Sequence, residues 1–158
     1  MGAYQADGMY EYRDQEMTMS LPSYLRPKKG MRYFAPHRPK ARGPGVLSVA
    51  VELLREEHRT DAIRRTLIQA RDVSWLDVDE RVLQKGKPAY LPDGLELLSS
   101  SHNSANGDVF HTYHVLFPLC SVYVYVTVFG NGDLDDFTAL CRTMVASVRV
   151  EDAGMSRD

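Results

Sequence analysis

Cys120-Ser121-Val122-Tyr123-Val124-Tyr125-Val126-Thr127-Val128-Phe129 is the most regular stretch of the chain. Side chains on a β-strand alternate between faces with period two. One face therefore carries Cys120 and four valines, and the other carries Ser121, Tyr123, Tyr125, Thr127 and Phe129. β-branched and aromatic residues suit a pleated surface, so the stretch reads as a strand. The valine face is expected to be core. The tyrosine face is large and amphipathic, and either a covered second layer or a contact surface would use it.

The segment that follows supplies a cover for the valines. Gly130-Asn131-Gly132 marks a turn, and Asp133 is placed to cap a helix. Asp135 and Asp136 then put negative charge where the helix dipole is positive. Leu134, Phe137, Leu140, Cys141, Met144, Val145 and Val148 fall on one broad apolar face. Val148-Arg149-Val150 predicts a brief strand before an exposed tail.

Towards the N-terminus, residues 1–8 read as a flexible end. The alternation of Tyr10, Tyr12, Met17, Met19 and Leu21 predicts a strand, or a hairpin turning near Asp14-Gln15 and ending at Pro22. Leu47, Val49, Val51 and Leu53 alternate in a strand entering the core. Glu56-Glu57-His58-Arg59 ends that strand, and a helix is expected over 60–71, capped by Thr60 or Asp61. Ile63, Leu67 and Ala70 form its apolar stripe, with Arg64, Arg65 and Arg71 facing water. Part of 73–84 reads as strand, with Trp75 as a core anchor. Lys85-Gly86-Lys87-Pro88 and Pro92-Asp93-Gly94 read as turns around a short strand at Ala89-Tyr90-Leu91. A strand beginning at Leu95 pairs with Asp108 to Phe117 across an Asn106-Gly107 turn. Pro118 is expected to break that partner strand before the Cys120 run begins.

Residues 22–45 differ in composition. They hold five of the eight prolines and seven of the 19 Lys and Arg residues, with no acidic residue. This gives a basic, Pro-rich insert at 26–44, with a short strand at Tyr33-Phe34. The rest of the chain keeps 12 Lys and Arg against 21 Asp and Glu. Such an acidic remainder repels phosphate backbones, so the insert suits an acidic protein partner better than nucleic acid. The bland alternative is a solvated loop held extended by its like charges.

Catalytic and metal chemistry find little support in the residues. His111-Thr112-Tyr113-His114 has metal-motif spacing, but on a strand positions three apart face opposite ways. Zinc needs three or four converging ligands. Cys120 and Cys141 are expected to be buried apolar thiols; whether they approach each other is not fixed by their positions. Ser99 to His102 lacks the glycines of a nucleophile elbow, and Gly43-Pro44-Gly45 lacks a phosphate-loop lysine. The reading is therefore of a non-enzyme without cofactor or metal. The alternative is a metal-dependent or hydrolytic enzyme using His102, His111, His114 and Asp108. The N-terminus shows no basic region followed by an apolar run, and no segment reaches the ~20 apolar residues of a membrane span, so a cytoplasmic location is expected.

Two segments carry a family resemblance. Met19-Ser20-Leu21-Pro22-Ser23-Tyr24 resembles the opening strand of PsbP-like and DcrB-like domains, which ends in Leu-Pro followed by an aromatic. The run from Phe137 to Arg149 is similar to their closing helix, which leads into a Ser-hydrophobic-Arg strand. The basic insert departs from the pattern. The resemblance implies an α+β fold over residues 9–150, with a central antiparallel sheet of about six strands flanked by helices in an αβα sandwich, and a flexible tail at 151–158. It also implies a binding module. Members include immunity proteins for type VI secretion toxins, effector chaperones, photosystem accessory proteins and a Ran-binding nuclear import factor. The expectation drawn from it is an immunity protein that neutralises a secreted toxin, with an effector chaperone as the alternative. The contacts would come from Tyr113, Tyr123, Tyr125, Arg26, Arg32 and Arg38, since aromatic and arginine residues dominate interface hot spots.

Overall fold

The computed structural model describes residues 8–28, 32–36, 45–72, 94–102 and 108–151. Their order is β1 (Met9–Arg13), β2 (Met17–Pro22), β3 (Leu25–Pro27), β4 (Tyr33–Pro36), β5 (Gly45–Leu54), α1 (Glu57–Asp72), β6 (Leu95–His102), β7 (Val109–Leu119), β8 (Val122–Asn131), α2 (Leu134–Ala146) and β9 (Arg149–Val150). The fold is α+β. A six-stranded sheet runs β3-β4-β5-β8-β7-β6, and a three-stranded sheet runs β1-β2-β9. Every strand pair in both sheets is antiparallel.

β8 lies inside the large sheet and divides its side chains as alternation requires. Val124, Val126 and Val128 are 0% exposed. They pack with Phe137, Leu140, Cys141, Met144 and Val145 of α2 and with Met17, Met19 and Leu21 of β2. The valines are thus covered by a helix and by the small sheet together. Each such side chain contributes roughly 1.5–3 kcal/mol when fully buried. Gly130 is required at this layer. A Cβ there would collide with the Gly45 carbonyl oxygen and lie 2.6 Å from the Phe137 ring. Asp133 caps α2 by accepting from the Asp136 N–H at 3.0 Å.

α1 covers part of the opposite face. Its Ile63, Leu67 and Ala70 pack with Leu54, Leu95, Leu97, Leu116, Tyr123 and Tyr125. This helix starts at Glu57, earlier than the capping residues suggest. Thr60 is a buried residue of the first turn whose hydroxyl donates to the Glu56 carbonyl oxygen at 3.1 Å.

Several further expectations need correcting. A bulge between Val46 and Ser48 shifts the register of β5. Val46, Val49 and Val51 are therefore buried, and Leu47 falls out of the alternating set. The strand expected at Tyr33-Phe34 is β4, while β3 was not expected; together they bring residues 25–27 and 33–36 into the large sheet. Pro118 does not break β7, which continues to Leu119. β6 begins opposite Leu116, so Pro118 lies past its end and the missing N–H interrupts no ladder bond there. Cys120 is exposed in the two-residue turn to β8, with a φ of 56°; only Cys141 is buried. Burial pushes the Cys141 thiol well above its ordinary pKa, and nearby Glu96 adds to the rise. The segments expected at 73–84, 85–88 and 89–91, the Pro92-Asp93 turn, Trp75 and the Asn106-Gly107 turn lie outside the described residues.

Two polar clusters tie the layers. Arg32, just ahead of β4, reaches the β1–β2 turn, with its Nε 2.7 Å from Asp14 Oδ2, and also contacts the Glu16 carboxylate. Asp14 further accepts from the Glu16 and Met17 backbone N–H groups at 2.7 and 3.0 Å and from the Tyr12 hydroxyl at 2.7 Å. Burial pushes the Asp14 carboxyl up, but Arg32 and these donors outweigh it and hold it well below the usual carboxylate range. The second cluster is inside the core. The Glu96 side chain is 0% exposed. It accepts from Arg142 Nε of α2 at 2.9 Å and from the Tyr113 hydroxyl.

Candidate functional surface

The sheet face opposite α2 changes character along its length. The register aligns Leu54 with Tyr123, and Glu52 with Tyr125 and Leu116; the two leucines and two tyrosines pack against α1. Arg64 of α1 lies over the Tyr123 ring at 5.2 Å and pairs with Asp61 at 2.6 Å. Beside them a cleft of about 500 Å³ opens between the start of α1 and the β7–β8 turn, lined by Leu54, Arg55, Glu56, Glu57, Thr60, Asp61, Arg64, Ser121 and Tyr123.

Further along the same face the rows are Tyr33, Ala50, Thr127 and His114, then Ser48, Phe129 and Thr112. Tyr33 and Phe129 are 36% and 38% exposed, the exposed large hydrophobic side chains among the described residues. Ser48 and Ala50 lie on the strand between them, so the two rings stand on either side of a strip of short side chains. Phe110 stacks on Phe129, with ring centroids 5.4 Å apart. His114 sits deeper, its Nδ1 2.9 Å from the Tyr125 hydroxyl. Burial pushes its pKa down. The physical result is an apolar and hydroxyl surface with few charges, suited to covering by another surface.

The residues expected at an interface are scattered. Tyr123 and Tyr125 are half-buried beneath α1. Tyr113 is fully buried and donates to Glu96, so it cannot meet a partner. The alternation places it on the α2 side of the sheet. Arg26 is exposed on the edge strand β3, over the Tyr10 ring, with β4 and β5 between it and β8. Arg32 is committed to Asp14 and Glu16. Arg38 lies outside the described residues. The open aromatic group includes Tyr33 and Phe110, which sequence reasoning did not select. Their signal is strand alternation across β4 and β7, legible only once the pairing is known.

The histidines do not converge. His111 and His114 occupy opposite faces of β7, as their spacing on a strand demands. His111 is buried on the α2 side. Its Nε2 donates to the Gly132 carbonyl oxygen at 2.8 Å, which leaves Nδ1 to accept from the Ser100 hydroxyl at 2.8 Å. Asp108 is exposed at the entry to β7, and the side chain of His102 lies outside the described residues. His111 therefore cannot share a site with His114, as a centre built from His102, His111, His114 and Asp108 would require. Among the described residues no group of three or more His, Cys, Asp or Glu side chains is placed to hold a metal. No helix among them is long and apolar enough to cross a membrane.

The architecture has solved counterparts. The Saccharomyces cerevisiae Ran-binding protein Mog1p is similar over 92% of this chain and 97% of its own, with a TM-score of 0.57 and 11% identity. The structure of a Mog1 point mutant gives 0.58 and 11% over 93% and 98%. At that identity the likeness is one of fold. No protein-family model matches the chain, and no curated protein does. The immunity and type VI secretion reading drawn from the PsbP-like resemblance is corrected here: the structural neighbours are Ran-binding Mog1 proteins rather than toxin-neutralising ones. The motifs behind that reading describe a strand end and a closing helix, which many functions share.

Proposed function

We propose that this chain is a non-catalytic protein-binding module whose contact surface is the open sheet face around Phe129, Phe110 and Tyr33. The observation that carries the reading is the exposure of Phe129 and Tyr33 on one face, flanking Ser48 and Ala50. Exposed aromatic groups of this kind supply interface area at low conformational cost. The fold shared with Mog1p, described as Ran-binding, supports recognition as its use. The PsbP-like and DcrB-like resemblance is compatible with the same use.

The test is affinity purification with full-length protein and three variants. Phe129→Glu and Tyr33→Glu are expected to lose a stoichiometric protein that wild type retains, with Tm unchanged. Arg65→Glu, on the exposed side of α1, is the control expected to retain it. Purified Ran is the first defined protein to assay directly. Identical recovery by wild type and both aromatic variants would sink the proposal, as would absence of any stoichiometric partner.

A further inference from the structure

β6 is a weakly specified strand if only its apolar pattern is considered. It reads Leu95-Glu96-Leu97-Leu98-Ser99-Ser100-Ser101-His102. Leu97 faces the α1 side and Leu98 the α2 side. Sliding β6 by one residue sends Leu95 and Leu97 to the α2 side and Leu98 to the α1 side, so all three leucines still meet an apolar layer. Sliding by two keeps the faces and sets Leu98 where Glu96 now lies, opposite Val115. Three consecutive serines add no apolar information. Register is poorly fixed in strands of this composition. Residues 103–108 separate β6 from β7, whereas β7 and β8 are joined by a two-residue turn.

The polar contacts do discriminate. Glu96 meets Arg142 and Tyr113 in the observed register, with Leu95 opposite Leu116 and Leu98 opposite Tyr113. Arg142 comes from α2 and Tyr113 from β7, so the carboxylate reads two elements at once. Ser100 opposite His111 repeats the check one pair further along the same face, through the 2.8 Å contact to Nδ1. In any slipped register the Glu96 carboxylate leaves this position, and a buried carboxylate without partners is strongly disfavoured.

We infer that the buried Glu96–Arg142–Tyr113 contact is a register pin that selects one pairing of β6 with β7 from several of similar apolar burial. A fixed β6 in turn fixes where Leu95 and Leu97 meet α1. The pin therefore sets the position of the helix-covered part of the open face.

The experiment is backbone NMR on full-length Glu96→Leu/Arg142→Leu, which removes both charges and keeps apolar bulk. The expected result is a folded protein with doubled cross-peaks across β6 and β7, single peaks in β5, and interstrand contacts that report a slipped register. A single set of peaks retaining Leu95 opposite Leu116 would overturn the inference. So would loss of folding, since the contact would then act on stability rather than on choice of register. Arg142→Lys, a milder change that breaks the two-pronged contact, is the companion. Its β6 amides should exchange about tenfold faster than in wild type while β5 and β8 amides keep their rates. Uniform acceleration in all strands would overturn the inference.

Discussion

The two faces of the six-stranded sheet are built from the same strands and yet do different work. On one side, β8 sets its valines under α2 and the small sheet, and solvent is excluded from them. On the other, α1 covers Tyr123 and Tyr125 and leaves Phe129 and Tyr33 partly exposed to solvent. Alternation puts one residue in two on each face, so either face can change sequence while sparing the other. The closed side can carry stability while the open side is free to vary for recognition.

The sharpest way to break that division is to hollow the closed side. Phe137→Ala removes a fully buried ring that packs against Gly130 and His111. It is expected to cost about 3–5 kcal/mol in chemical denaturation. A loss below about 1 kcal/mol would mean the layer is not packed as described.

Next in size is the tie between the small sheet and the large one. Asp14→Ala removes the acceptor for Arg32, Tyr12 and two backbone N–H groups. A cost of about 2–3 kcal/mol is expected, because hydrogen bonds to a charged group exceed neutral ones. Its acid dependence has a definite sign. The folded carboxyl is held below its ordinary value. Its contribution is complete above the ordinary carboxylate pKa and is lost as pH falls through the lowered folded one. Stability curves for wild type and Asp14→Ala should therefore converge in acid.

A smaller effect belongs to a deeper-set side chain of the open face. His114 has its pKa lowered by burial. The unfolded chain takes up the proton first, so stability holds above the ordinary imidazole value of about 6.5 and declines as pH drops towards the folded value. His114→Gln should remove that part of the decline, read from urea midpoints across the range. The smallest effect should come from Phe129→Glu, whose stability is expected to stay within about 0.5 kcal/mol of wild type. A large loss there would make Phe129 part of the core and erase the contrast between the faces.

Much of the closed side was legible from residues alone. The valine alternation, the Asp133 cap and the apolar face of α2 each have a local period, and each places its side chains as that period demands. Legibility failed where the deciding partner is distant or the local signal is absent. Glu96 reads as an ordinary exposed carboxylate until Arg142, 46 residues away, is beside it. Arg32 reads as a free cation until the β1–β2 turn is folded against it. Cys-Ser carries no turn signature, so the tight link at Cys120 was read as strand. Glu56 is not a common cap, which drew the expected start of α1 towards Thr60. The open aromatic group was missed because Tyr33 and Phe129 become neighbours only through β5.

The strand order has a consequence for how the molecule is made. β5 is complete at Leu54, but the strand it must zip against, β8, begins only at Val122. A growing polypeptide therefore leaves the ribosome with Val49 and Val51 lacking their β8 partners, Val128 and Val126, until that strand has been translated. The last pairing joins Arg149 and Val150 to Thr18 and Met17, so the opening hairpin is clasped only after β3 to β8 and α2 have been made. Until those pairings form, the apolar sides of the early strands lack their native cover, the general cost of a fold built on distant contacts.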